Sequence, residues 1–163
     1  RIIYKHKIIT RAVYLNPFDT LHEVFSYGYG GTVEYYYTDI LRWGLRGQYI
    51  RLTDKKKTIN YGEFTALYAS LGHTINITPQ LSLTPYINPG ISYFTIFYDD
   101  NTFDKNSNEI NKKSSMKLLT NSGMDFTLNF NRFNLICTPE IGLIFEDRIK
   151  YYFTFSTGVG ISF

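Results

Sequence analysis

From residue 149 to residue 163, apolar and small polar positions alternate. Ile149, Tyr151, Phe153, Phe155, Val159, Ile161 and Phe163 take the odd positions, with Thr157 among them. Lys150, Tyr152, Thr154, Ser156, Gly158, Gly160 and Ser162 take the even ones. A period of two over such a length predicts a β-strand with a different solvent on each face. The same alternation recurs along the whole chain. Strands are expected over about 1–15, 25–38, 41–52, 60–77, 81–97, 116–130, 133–145 and 149–163.

Each strand sorts into an apolar outer face and a small or polar inner one. In the first, Ile8, Ala12 and Tyr14 face out and Lys7 and Arg11 face in; the opposite phase would place Arg11 in lipid at a cost of roughly 2–4 kcal/mol. In the second, Phe25, Tyr27, Tyr29, Val33, Tyr35 and Tyr37 oppose Gly28, Gly30, Thr32 and Glu34. Trp43, Leu45 and Tyr49 oppose Arg42, Arg46 and Gln48 in the third; Leu67, Leu71 and Ile75 oppose Tyr68, Ser70 and Asn76 in the fourth. In the fifth, Leu83, Ile87, Ile91 and Tyr93 oppose Ser82, Thr84, Asn88 and Ser92, and Pro85 and Pro89 predict a bulge or bend, since neither carries an N–H for the ladder. The sixth sets Leu118, Met124, Phe126 and Leu128 against Asn121, Asp125 and Thr127. The seventh sets Leu135, Cys137, Ile141 and Leu143 against Asn134, Thr138 and Glu140, with Pro139 a third bulge candidate.

Tight turns are expected at Thr38-Asp39-Ile40, Thr78-Pro79-Gln80 and Asn131-Arg132. Longer loops fall at about 16–24, 53–58 and 98–115, and a brief one at Glu146-Asp147-Arg148. The pattern predicts one domain over 1–163, all-β: an antiparallel up-and-down transmembrane barrel of about eight strands. Short turns on one side and longer loops on the other place both termini on the periplasmic side. Aromatic residues fall into two girdles, one near Tyr35, Trp43, Phe130, Phe133 and Phe163, the other near Tyr27, Tyr49, Tyr93, Phe145 and Tyr151.

Composition supports this picture where hydropathy averaging hides it. The 15 Tyr and 13 Phe suit a protein that fills two membrane interfaces. Mean hydropathy is -0.20, as expected when strands alternate. The chain begins at Arg1 without an apolar leader, which reads as a mature or trimmed chain. One cysteine, Cys137, allows no internal disulfide, and a net charge of +3 does not suggest nucleic acid as a partner.

The last strand, with its terminal Phe163 preceded by Phe155, Val159 and Ile161 on the same face, resembles the closing strand of Gram-negative outer-membrane barrels. The stretch T-P-Y-I-N-P-G-I-S-Y at 84–93 is similar to a strand of small outer-membrane proteins. The resemblance is to the small eight-stranded barrels typified by outer-membrane proteins W and X and the barrel of outer-membrane protein A. It implies an outer-membrane location and contact with lipid and lipopolysaccharide. It also implies recognition of Phe155, Val159, Ile161 and Phe163 by the barrel-assembly machinery, with other envelope proteins as further partners.

A soluble, lipocalin-like barrel would alternate too, but with its apolar face inward and Lys and Glu outward. Here the polar face is mostly Gly, Ser, Thr and Asn, which suits a narrow lumen. The candidate chemistry is the set of inward charges: Arg11, Arg42 and Arg46 against Glu34, Asp125 and Glu140. Buried charges of opposite sign pair, because a lone one is costly. Glu34 lies four residues before the Thr38 turn and Arg46 lies on the following strand, so the two come near one level. A salt-bridged plug is the favoured reading, a polar gate or ion path the alternative.

No histidine completes a triad: His6 and His73 fall near the short-turn end and His22 in a loop. Asp104, Asn106 and Asn108 have the opening spacing of a calcium loop, but Glu109 stands where Gly is needed and Ser115 where Glu is needed. Lys55, Lys56 and Lys57 read as a solvated charge run. No cofactor is implied. The expectation is a non-enzymatic integral outer-membrane protein, structural or accessory to a larger envelope assembly. The alternative is binding or transport of a small molecule through a porin-like bore or a lateral opening at Pro85, Pro89 or Pro139.

Overall fold

The computed structural model describes residues 5–18, 25–39, 41–54, 59–98 and 112–163. It is an antiparallel sheet closed on itself. The strands are β1 His6–Pro17, β2 Phe25–Thr38, β3 Arg42–Asp54, β4 Ile59–Gly72, β5 Ile75–Asn76, β6 Leu81–Tyr98, β7 Lys112–Phe130, β8 Phe133–Phe145 and β9 Lys150–Ser162. Strands pair in sequence order from β1 to β4 and from β6 to β9, β4 pairs with β6, and β1 pairs with β9 to close the ring. The two-residue β5 continues the line of β4 beyond His73-Thr74 and pairs with the same strand, β6. The result is the expected eight-stave barrel, with the fourth stave broken once.

Closure leaves no open sheet edge among the described strands, so their backbones bond to one another along both sides and not to water outside. The seam lies between the two ends of the chain. His6 N–H donates to the Phe163 carbonyl at 3.0 Å, and Phe163 N–H donates back to His6 at 2.9 Å. The Asn131-Arg132 hairpin turn places Asn131 at φ 59°, a left-handed conformation that Asn adopts more readily than most residues.

The faces divide as the alternation requires. Val33, Leu45, Leu67, Ile87, Leu118, Ile141, Val159 and their neighbours stand exposed on the outside. An apolar exterior that runs round the whole wall belongs in lipid and does not fit a soluble barrel. Aromatic side chains cluster at both ends of that wall. Tyr37 lies 5.6 Å from Trp43 between ring centres near the short turns, and Tyr61 stacks at 4.5 Å on Phe97 near the loops.

Three local expectations are corrected. Phe25, expected on the outer face of the second strand, is buried inside the barrel, because the register shifts between Phe25 and Tyr27 and turns Phe25 inward. Of the bulge or bend expected at the strand prolines, the bulge is absent. Pairing of β4 with β6 skips from Tyr68–Gly90 to Leu71–Ile87, three residues on each strand, so nothing is inserted at Pro89. β7 and β8 likewise skip from Gly123–Glu140 to Phe126–Cys137 around Pro139. The missing N–H removes ladder bonds locally while the neighbouring strands hold the register. Finally, β7 begins at Lys112, before the expected position. His22, the lysine run at 55–57 and the Asp104–Asn108 spacing lie outside the described residues.

Candidate functional site

The inward residues form layers along the bore. Glu34 and Arg46 are direct register partners on β2 and β3. Arg42 sits four residues nearer the turn on the same inner face of β3, and Arg11 projects from β1. Gly158, on the neighbouring strand, leaves room for Arg11: a Cβ there would stand 2.7 Å from Arg11 Cγ and 2.2 Å from the Thr10 carbonyl oxygen. Asp125 and Glu140 reach in from β7 and β8 on the far wall.

The six charges meet as one alternating chain. Arg42 donates from Nη1 to Asp125 Oδ2. Arg11 grips the same carboxylate with a fork, Nη1 to Oδ1 at 2.8 Å and Nη2 to Oδ2 at 3.2 Å, and its Nη2 also donates to Glu34 Oε2 at 2.8 Å. Arg46 Nε stands 3.1 Å from Glu34 Oε1 as a charge contact, and its Nη1 donates to Glu140 Oε2 at 2.5 Å. Neutral donors complete the carboxylates: Thr32 to Glu34, Thr138 to Asp125, and Tyr86, Asn121 and Thr154 to Glu140. All six side chains are at most 5% exposed. Such a belt is tolerable in a low-dielectric lumen only because each charge has an opposite neighbour and the remaining lone pairs have donors. Aromatic faces add to this: the Arg42 guanidinium lies 4.3 Å over Tyr36 and 5.0 Å from Tyr86.

On the loop side of this belt the lumen is apolar. Val13, Leu15, Phe25, Ile50, Leu52, Phe64, Tyr68, Leu119, Ile144 and Tyr152 pack together inside the barrel, with Phe94 and Ile96 against them. Tyr152 fills the space opposite Gly142, its register partner, where an added Cβ would lie 1.9 Å from the ring. Sequence reasoning missed this plug. The available signal was the apolar doublets Tyr14-Leu15, Tyr49-Ile50, Leu118-Leu119 and Leu143-Ile144, where alternation fails because both faces are apolar. Above the plug, Glu146 bridges Lys117 at 3.0 Å and Lys150 at 2.7 Å. Partial burial pushes the Glu146 carboxyl up, but its bonds to Lys150 and Lys117 outweigh that and hold it below its ordinary value.

At the short-turn end, His6 Nδ1 meets the Tyr35 hydroxyl at 2.7 Å, and the His6 ring stacks on Phe163 at 5.7 Å. Phe155, Val159 and Ile161 on β9 and Phe163 just beyond it all stand on the outer face. Among the described residues no His, Cys, Asp and Glu group could hold a metal ion.

No protein-family model matches this chain, and no curated protein does. Solved structures do. A major outer membrane protein from Thermus thermophilus aligns over 97% of this chain and 99% of its own, with TM-score 0.71 and 12% identity. Neisserial surface protein A aligns over 97% of both chains, with TM-score 0.68 and 13% identity. The N-terminal β-barrel domain of Pseudomonas aeruginosa OprF aligns over 99% of this chain and 100% of its own, with TM-score 0.59 and 18% identity. Likeness at such low identity, over nearly the full length of each chain, establishes the architecture: this chain has the fold of the small eight-stranded outer-membrane β-barrels.

Proposed function

We propose that this chain is an integral outer-membrane barrel with a closed bore, serving as a structural or accessory component of the envelope and not as an enzyme or a channel. The observation that carries this reading is the double closure of the lumen. The salt-bridged belt spans it from β1, β2 and β3 to β7 and β8, and the apolar cluster fills it on the loop side. An eight-stranded lumen is narrow enough for side chains to close it, and here they do so with two chemically different layers. A bore sealed in this way contributes a stable wall, leaving the outer face and the loops for contact with other molecules.

In this reading both termini are periplasmic, the outer face contacts outer-membrane lipid and lipopolysaccharide, and other envelope proteins dock on it. The row Phe155, Val159, Ile161 and Phe163 is the stretch we assign to recognition by the assembly machinery. Transport, the other reading, needs a path through the wall or the bore. Register kept across the pairing gaps at Pro89 and Pro139, and from Gly72–Tyr86 to Ile75–Leu83 beside Pro85, argues against a wall opening. The test is fractionation of cells expressing the tagged chain, followed by capture in mild detergent. Recovery in the outer-membrane fraction as a heat-modifiable band, with a fixed set of envelope proteins, supports the proposal. Recovery in the soluble or inner-membrane fraction refutes it.

A further inference from the structure

The bore is not filled at its short-turn end. A cavity of about 300 Å3 opens there, with Arg42 and Asp125 at its floor and Lys7, Ser82, Asn129 and Asn134 among its walls. The belt and the apolar plug close it on the loop side, so it is a dead end entered from the short-turn side alone.

Its neutral wall groups largely satisfy one another. Asn134 donates to Asn129 at 2.9 Å, Ser162 donates to Asn134 at 2.9 Å, and Thr74 and Thr84 share a bond at 3.0 Å. Its charges are not balanced. Glu34, Asp125 and Glu140 are all engaged by the belt arginines. At the mouth, Asp39 is paired with Lys5 at 3.5 Å. Lys7 faces the same space, and no carboxylate among the described residues lies within ion-pair distance of it. Arg42 uses only Nη1 on Asp125, and its Nε and Nη2 have no hydrogen-bond acceptor among the described residues.

A cation held between protein walls without a counter-charge is costly, and a cavity beside it has room for one. The sign is set by the same residues: Asp39 and Asp125, the carboxylates of the cavity lining, are already paired, so among the described residues a metal cation would find no free carboxylate there. We infer that this vestibule binds a small oxyanion, a carboxylate or phosphate group entering from the short-turn side. Lys7 is its anchor and Arg42 its second cationic contact. Lys7 reaches it as a point charge, while the Arg42 guanidinium, held at the cavity floor by Asp125, Tyr36 and Tyr86, adds a second positive charge whose Nε and Nη2 are not taken up by the belt.

The experiment is calorimetric titration of the detergent-folded barrel with sodium phosphate and, separately, sodium acetate, at ionic strength fixed with sodium chloride. One saturable site for at least one of the two anions is expected, and the tighter of the two identifies the ligand as phosphate-like or carboxylate-like. Lys7→Gln weakens that binding about tenfold or more, Lys7→Arg retains it, and Lys5→Gln leaves it nearly unchanged. Absence of saturable binding, or equal affinity in wild type and Lys7→Gln, overturns the inference. NMR of the wild-type barrel with labelled lysine side chains gives a readout independent of variant folding. The Lys7 resonance shifts on anion addition while that of Lys5 does not; unmoved Lys7, or equal shifts at both lysines, overturns the inference as well.

Discussion

Asp125→Asn isolates the most vulnerable link of the belt. The substitution keeps the side-chain shape and removes one charge that two arginines share. Arg11 keeps Glu34 at 2.8 Å, so it remains paired. Arg42 does not: Asp125 is its single ion-pair partner among the described residues, and what remains is the Tyr36 face at 4.3 Å and the Tyr86 face at 5.0 Å. One guanidinium is therefore stranded in a buried position, which costs about 3–5 kcal/mol. Water entering from the short-turn cavity beside Arg42 favours the lower end of that range. Glu34→Gln is the internal comparison. It leaves Arg11 with Asp125 and Arg46 with Glu140, so its cost is nearer that of one charge-assisted hydrogen bond, about 1.5–3 kcal/mol. Adding Arg42→Met to Asp125→Asn removes the stranded charge. The double variant is then more stable than the sum of the two single effects, by about 1–3 kcal/mol. The assay is a urea titration in lipid vesicles, read by fluorescence of the single tryptophan, Trp43, and by band mobility of unheated samples. Strict additivity, or Asp125→Asn no worse than Glu34→Gln, would refute the pairing of Arg42 with Asp125.

Gly142→Ala drives a methyl group into the Tyr152 ring, which stands 1.9 Å from the Cβ position, and destabilises the barrel by about 1–3 kcal/mol; combining it with Tyr152→Leu relieves much of that loss in the same titration. Glu146 has a folded value below its ordinary 4.5, so it stabilises the barrel above about pH 4.5 and that contribution is lost as pH falls through the folded value. The stability difference between wild type and Glu146→Gln is therefore present at pH 7 and vanishes on acidification, and a difference that grows on acidification contradicts the assignment. Phe163→Ala removes the outer-face ring stacked on His6 at the seam and lowers the yield of heat-modifiable barrel in cells, while refolding of the purified variant into detergent changes much less. Unchanged yield in cells rules out a role for that ring in assembly.

Much of this molecule was legible from a period of two. Strand order, the outward rows and the inward position of Arg11, Glu34, Arg42, Arg46, Asp125 and Glu140 follow from alternation together with the cost of placing a charge in lipid. The level of Glu34 and Arg46 follows from counting away from the Thr38 turn. What alternation cannot supply is anything that crosses the bore. That Arg46 takes Glu140 while Arg42 takes Asp125 depends on how the closed sheet faces β3 with β7 and β8, a relation between strands far apart in sequence. The apolar plug was hidden for a different reason. Ile50, Leu119 and Ile144 adjoin outward apolar residues, and a two-sided apolar stretch carries no phase. Phe25 was misplaced because a bulge moves one residue across the wall, and the sequence around it, F-S-Y-G-Y-G, alternates cleanly on either assignment.

The closed bore is the claim on which the functional reading depends, and single-channel recording tests it most directly. Purified wild-type barrel is reconstituted into lipid vesicles, where heat-modifiable mobility verifies insertion, and the same vesicles are fused with a planar lipid bilayer at high salt. With the belt and the plug in place, the trace stays flat at both polarities. Discrete, reproducible current steps from the wild-type barrel would contradict the account.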